Sequence, residues 1–85
     1  MTVKDLIAKI PLGYSEGRYK NEKYGISKQV FNAGKSFKIY AKALGGKDFI
    51  SLNFYLTQDK ELLKPCEMPT EKVIDFLRVV VIENE

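Results

Sequence analysis

The chain has 85 residues, 45% of them hydrophobic and 29% charged, with a formal net charge of +3. That balance belongs to a globular domain rather than a disordered chain, and no apolar run approaches the ~18 residues of a membrane-spanning helix. With one cysteine and no histidine, an internal disulfide is excluded, and the commonest metal ligand and general base are missing.

The length predicts a single α+β domain over residues 1–85, with one core of modest size. The charge is uneven: ten basic and three acidic residues lie between Met1 and Lys47, four and eight from Asp48 onward. A mild preference for polyanions would therefore sit in the first half. The first residues show no apolar leader and no small-residue cleavage site, so a cytoplasmic location is expected. The lone thiol fits a reducing compartment.

In chain order, Thr2 is placed to cap a first helix, with Asp5 at the capping-box position. Val3, Leu6, Ile7 and Ile10 follow on one stripe, and Pro11 and Gly13 end it. From Tyr14 the period changes to two. Tyr14–Lys20 and Lys23–Phe31 read as strands joined at Asn21 and Glu22, with a turn at Ala33 and Gly34 next. The stretch from Ser36 to Leu56 reads as a hairpin in which Gly45 and Gly46 supply positive φ. Glu61–Lys64 is a short edge strand. Pro69 and Thr70 open a second helix, capped by Thr70 or Met68, whose stripe is Val73, Ile74, Phe76, Leu77, Val80 and Val81. The β-branched run Val79–Ile82 is a poor helix end that frays or passes onto the sheet.

These elements predict an antiparallel meander of four to five strands with an N-terminal and a C-terminal helix on one face, an α-β-β-β-β-(β)-α two-layer sandwich. On paper Val30 pairs with Phe37 and Ile26 with Ala41. A four-residue turn then pairs Ala41 with Leu52 and Ile39 with Phe54, leaving Asn53 beside Tyr40 and Tyr55 beside Lys38. One face collects Tyr24, Ile26, Val30, Phe37, Ile39, Ala41, Ala43, Ile50, Leu52, Phe54 and Leu56. Only Lys28 breaks it, as a bulge or a snorkelling side chain near an edge.

The other face carries Tyr14, Glu16, Arg18, Ser27, Gln29, Phe31, Lys38, Tyr40, Lys42, Phe49, Ser51, Asn53 and Tyr55. Rings interleaved with cations and amides on an open antiparallel sheet are what single-stranded nucleic-acid platforms use, for stacking and for phosphates. The same residues also suit a dimer or protein interface, or a plain solvent face. Arg18, Lys38, Tyr40, Lys42, Phe49, Asn53 and Tyr55 are the expected binding residues.

Chemistry has less to draw on. Cys66 lies between Pro65 and Glu67, shortly before the second helix. A thiol near a helix N-terminus and a lysine can be reactive, but Glu67 opposes this, and no histidine or second thiol exists to assist it. No cofactor is expected, because neither glycine–lysine turn has phosphate-loop spacing. No metal is expected either.

The runs at residues 24–27 (Tyr-Gly-Ile-Ser), 38–57 and 63–77 resemble a family of small bacterial proteins of about this length, some named peptide methionine sulfoxide reductase. The resemblance implies a thiol-dependent reductase with Cys66 as nucleophile. It lacks the Gly-Cys-Phe-Trp run of A-type reductases and the paired Cys-x-x-Cys motifs of B-type enzymes. In topology the chain is also similar to coactivator-like single-stranded DNA binders, dimers with a meander followed by a helix. The expectation is a non-enzymatic binding module acting through the basic, aromatic face on single-stranded nucleic acid or a protein partner, with no membrane contact. A Cys66-dependent reductase and a structural homodimer are the alternatives.

Overall fold

A computed structural model describes residues 2–83. Helix α1 (Val3–Ala8) is followed by strands β1 (Gly13–Tyr19), β2 (Glu22–Phe31), β3 (Ser36–Ala43), β4 (Phe49–Leu56) and β5 (Glu61–Pro65). Helix α2 (Thr70–Val79) and strand β6 (Val81–Glu83) complete the chain. The strands form one antiparallel sheet in the order β5-β4-β3-β2-β1-β6. Both helices lie on the same side, where Leu6 and Ile7 of α1 and Val73, Phe76 and Leu77 of α2 join Tyr24, Ile26, Ile39, Ala41, Ile50, Leu52 and Phe54 in one core.

The capping box is present: Thr2 accepts from the Asp5 amide, and the Asp5 carboxylate accepts from the Thr2 amide. At the start of α2 the expected caps are replaced. Pro69 occupies the N-cap position and no side chain bonds the first turn, so packing of Val73, Phe76 and Leu77 has to hold this helix. The β-branched tail leaves the helix at Val80 in an extended conformation and becomes β6, paired with β1. The sheet thus has six strands, one more than the longest expected meander. Gly17 makes this possible, because a Cβ there would lie 2.9 Å from the Val81 carbonyl oxygen.

The turns differ in detail. The β1–β2 reversal is centred on Lys20 and Asn21, one residue earlier than expected, with φ of 51° and 63°. Two consecutive positive φ values match the right-handed twist of the flanking strands. The β2–β3 connection is a short helical turn at Asn32–Gly34 rather than a two-residue turn, yet Val30 still pairs with Phe37 and Ile26 with Ala41. In the central hairpin Gly45 and Gly46 are not among the positive-φ residues. The reversal closes at the Ala43 amide and the Asp48 carbonyl, one residue earlier than expected, so Ala41 pairs with Ile50 and Ile39 with Leu52. The slip is two residues, so the faces survive it.

Two core assignments change. Val30 is 41% exposed, because β2 runs past the end of β1, whose Gly13 pairs with Lys28. Lys28 neither snorkels nor sits in a bulge: it is 6% exposed, and its Nζ donates to the carbonyl oxygens of Ile7 and Ile10 at 2.8 and 2.9 Å. It closes the carbonyl end of α1, adding to the Ile10 amide that already donates to the Ile7 carbonyl. No described helix is long and apolar enough to cross a membrane.

Candidate binding surface

Strand alternation puts every second residue on the face away from the helices. Across the sheet, Tyr14, Ser27, Tyr40 and Ser51 form one row, with Cys66 next to Ser51 through its amide, which donates to the Ser51 carbonyl. Gln29, Lys38, Asn53 and Lys64 form the next row. Gly25, Lys42 and Phe49 lie on the other side of the Tyr40 row. The expected neighbours are therefore exchanged: Asn53 stands opposite Lys38, and Tyr55 opposite Ser36.

Six of the expected residues remain on this face with their side chains accessible to differing degrees: Arg18, Lys38, Tyr40, Lys42 and Phe49 are exposed, and Tyr55 is half-buried. Asn53, the seventh, is also half-buried and donates through Nδ2 to the Cys66 sulfur at 3.4 Å. The Tyr40 and Phe49 rings lie 6.1 Å apart, inclined by 31°, within the range of offset ring pairs. Tyr14 lies across Gly25, where a Cβ would meet its hydroxyl oxygen at 2.6 Å.

Charge divides the face. On the β1–β6 side, Arg18 pairs with Glu83 at 3.2 Å, and Lys23 reaches Glu16 at 3.3 Å and Glu83 at 3.8 Å. The Tyr14 hydroxyl donates to Glu16, and with Lys23 it holds that carboxyl below its usual range. On the β3–β5 side, Lys38, Lys42 and Lys64 form no ion pair among the described residues. Arg18 was expected beside Lys38 and Lys42 as one set; the ion pair with Glu83 separates it from them.

Lys64 and Leu62 are the residues that strand-by-strand reading missed. Their alternation on β5 was visible, but their face depends on Asn53 pairing with Lys64 and Tyr55 with Leu62, which no local signal sets. Cys66 moves as well. It belongs to this face rather than to a helix N-terminus, and among the described residues its side chain meets only the Asn53 amide as a hydrogen-bond partner.

A second cluster lies at the edge of the helical layer. A cleft of about 560 Å3 is lined by Tyr19, Tyr24, Asp48, Lys72 and Asp75, with Lys20, Glu22 and Glu71 around it. Tyr19 donates to Asp75 at 2.5 Å and Tyr24 to Asp48 at 3.0 Å, while Lys72 binds Asp48 at 2.6 Å. Burial, then the Asp48 contact, pushes the Tyr24 hydroxyl up to about 12, and burial with Asp75 pushes Tyr19 up as well. Lys72 holds the Asp48 carboxyl below its usual range. Each hydroxyl keeps its proton and each aspartate is engaged, so the cluster braces α2 against the sheet instead of offering a free base. Among the described residues no group of three or more Cys, Asp or Glu is placed to hold a metal.

No family model matches the chain, and no curated protein or solved structure matches it.

Proposed function

We propose that the protein is a binding module that takes a single-stranded nucleic acid on the face of the sheet away from its helices. The observation that carries this reading is the pairing of Tyr40 and Phe49, 41% and 36% exposed, with three lysines that have no carboxylate partner among the described residues. Rings offer stacking surfaces to any base, and unpaired cations meet phosphates without first breaking an ion pair. The footprint is β3–β5, with Lys38, Lys42 and Lys64 around Tyr40, Phe49 and Asn53. Arg18 stays outside it, because Glu83 already neutralises it.

Three phosphate contacts on a single strand give a salt slope of roughly −2, and one stacked base contributes about 1–3 kcal/mol. Binding is then weak and strongly salt-dependent. The test is titration of a labelled oligonucleotide at several salt concentrations. Tyr40→Ala should weaken binding about 5- to 150-fold at an unchanged slope. Lys38→Glu and Lys64→Glu should each flatten the slope by about 0.7 or more, and Arg18→Gln should do little. Absence of binding at low salt, or a light-scattering mass of a dimer that closes this face, would overturn the proposal.

A further inference from the structure

On the opposite side of the sheet, beneath α1, lies a cavity of about 260 Å3. It is lined by Ile7, Leu12, the Phe37 and Phe54 rings, and two lysines, Lys4 and Lys28. Apart from the ammonium groups its walls are apolar. Lys28 is the buried one; its Nζ spends two of an ammonium's three hydrogens on the Ile7 and Ile10 carbonyls. The Phe37 ring lies nearby, 5.3 Å from Nζ to centroid, and one hydrogen is left without a carbonyl. Among the described residues neither Lys28 nor Lys4 has a carboxylate within ion-pair distance. A buried cation normally has a counter-charge, because carbonyl dipoles and a ring face offset only part of its lost hydration. Burial accordingly holds this amine below its ordinary range. Leu12 at the mouth is 61% exposed, an apolar rim to the cavity.

We propose that this cavity binds a small carboxylic acid with an apolar body, its carboxylate held by Lys28 with Lys4 at the mouth, its carbon chain between Leu12 and the two phenylalanine rings. The missing counter-charge selects an anion, and the apolar walls select a hydrocarbon body over a compact, strongly hydrated ion. Size narrows it further. At the ~30 Å3 that a water occupies in the liquid, a cavity of about 260 Å3 holds about eight or nine non-hydrogen atoms. A straight-chain acid of about six carbons fills that space.

The full chain, labelled for amide NMR, is titrated with sodium hexanoate, hexylamine and inorganic phosphate. Hexanoate should move the Ala8, Leu12, Lys28 and Phe37 amides saturably, with a dissociation constant in the millimolar range or below, as a ligand this small allows. Hexylamine should leave them unmoved, and phosphate should bind at least tenfold more weakly. Lys28→Met removes the buried cation and should abolish saturation. Because that variant also loses the bonds to α1, the exposed Lys4→Gln carries the test independently and should weaken hexanoate several-fold in a folded protein. No saturable shift by hexanoate, equal binding of hexylamine or phosphate, or parental affinity in Lys4→Gln would overturn the proposal. None of these outcomes depends on oligonucleotide binding, which uses the other face of the sheet.

Discussion

A Cβ added to Gly17 would lie 2.9 Å from the Val81 carbonyl oxygen and 3.2 Å from side-chain atoms of Ile26 and Val80. The backbone oxygen cannot move aside without taking β6 with it. Gly17→Ala should therefore destabilise the protein by about 1–3 kcal/mol, as overpacking does. Gly45, whose added Cβ would meet nothing within 4 Å, is the control, and Gly45→Ala should change stability little. Urea midpoints of the two variants check this; equal midpoints would mean that β6 is not seated against β1 as described. Lys28 makes the same point about single residues. Its position on the apolar face could be read from alternation, but the carbonyls that receive its ammonium group belong to Ile7 of α1 and to Ile10 just past its end, some 20 residues away in the chain.

At the scale of elements, α2 shows how a helix without a side-chain cap is fixed in place. Its apolar face is buried, and Asp75 and Lys72 fasten it to Tyr19 and to Asp48. This brace titrates at both ends of the pH range. The Asp48 carboxyl is held down mainly by Lys72, so the folded state binds its proton less readily than the unfolded one. The stability it supplies is present above the ordinary carboxyl value near 3.8 and is lost as pH falls through the folded one. The Tyr24 hydroxyl is raised to about 12, chiefly by burial. Its share is complete below the ordinary value of 10.0 and disappears as pH climbs towards about 12. Denaturant midpoints should form a plateau at neutral pH that falls on both flanks. Asp48→Asn should flatten the acid flank and Tyr24→Phe the alkaline one; flanks unchanged in both variants would show that the brace does not carry the pH dependence.

For the whole molecule, the sheet is an asymmetric layer, one side packed under two helices and the other open. Ile39, Leu52 and Phe54, expected in the core, are at most 1% exposed. Leu52 sits between Ile39 on β3 and Pro65 on β5, so Leu52→Ala opens a cavity across three strands and should cost about 2–5 kcal/mol. The loss should appear as one shift of a single cooperative transition, followed by circular dichroism in urea. A midpoint equal to the parent's would place Leu52 outside the core.

Which side chains share a face was legible in the sequence, because alternation depends on parity, and parity survived a two-residue slip in the central hairpin. Tyr40, Lys42 and Phe49 could thus be assigned to the open side before any pairing was known. The first helix was legible too, through the local reciprocity of Thr2 and Asp5. Other features belong to tertiary structure alone. Val81–Glu83 becomes a strand only because β1 has a free edge and Gly17 leaves room beside it. Which cations remain unpaired among the described residues depends on Glu16 and Glu83 arriving from β1 and β6 to engage Lys23 and Arg18. The cavity under α1 exists because a six-residue helix leaves part of the apolar face uncovered near Phe37 and Phe54. Local pattern sets the direction of each side chain; which distant group it meets is decided by packing, which no run of neighbours encodes.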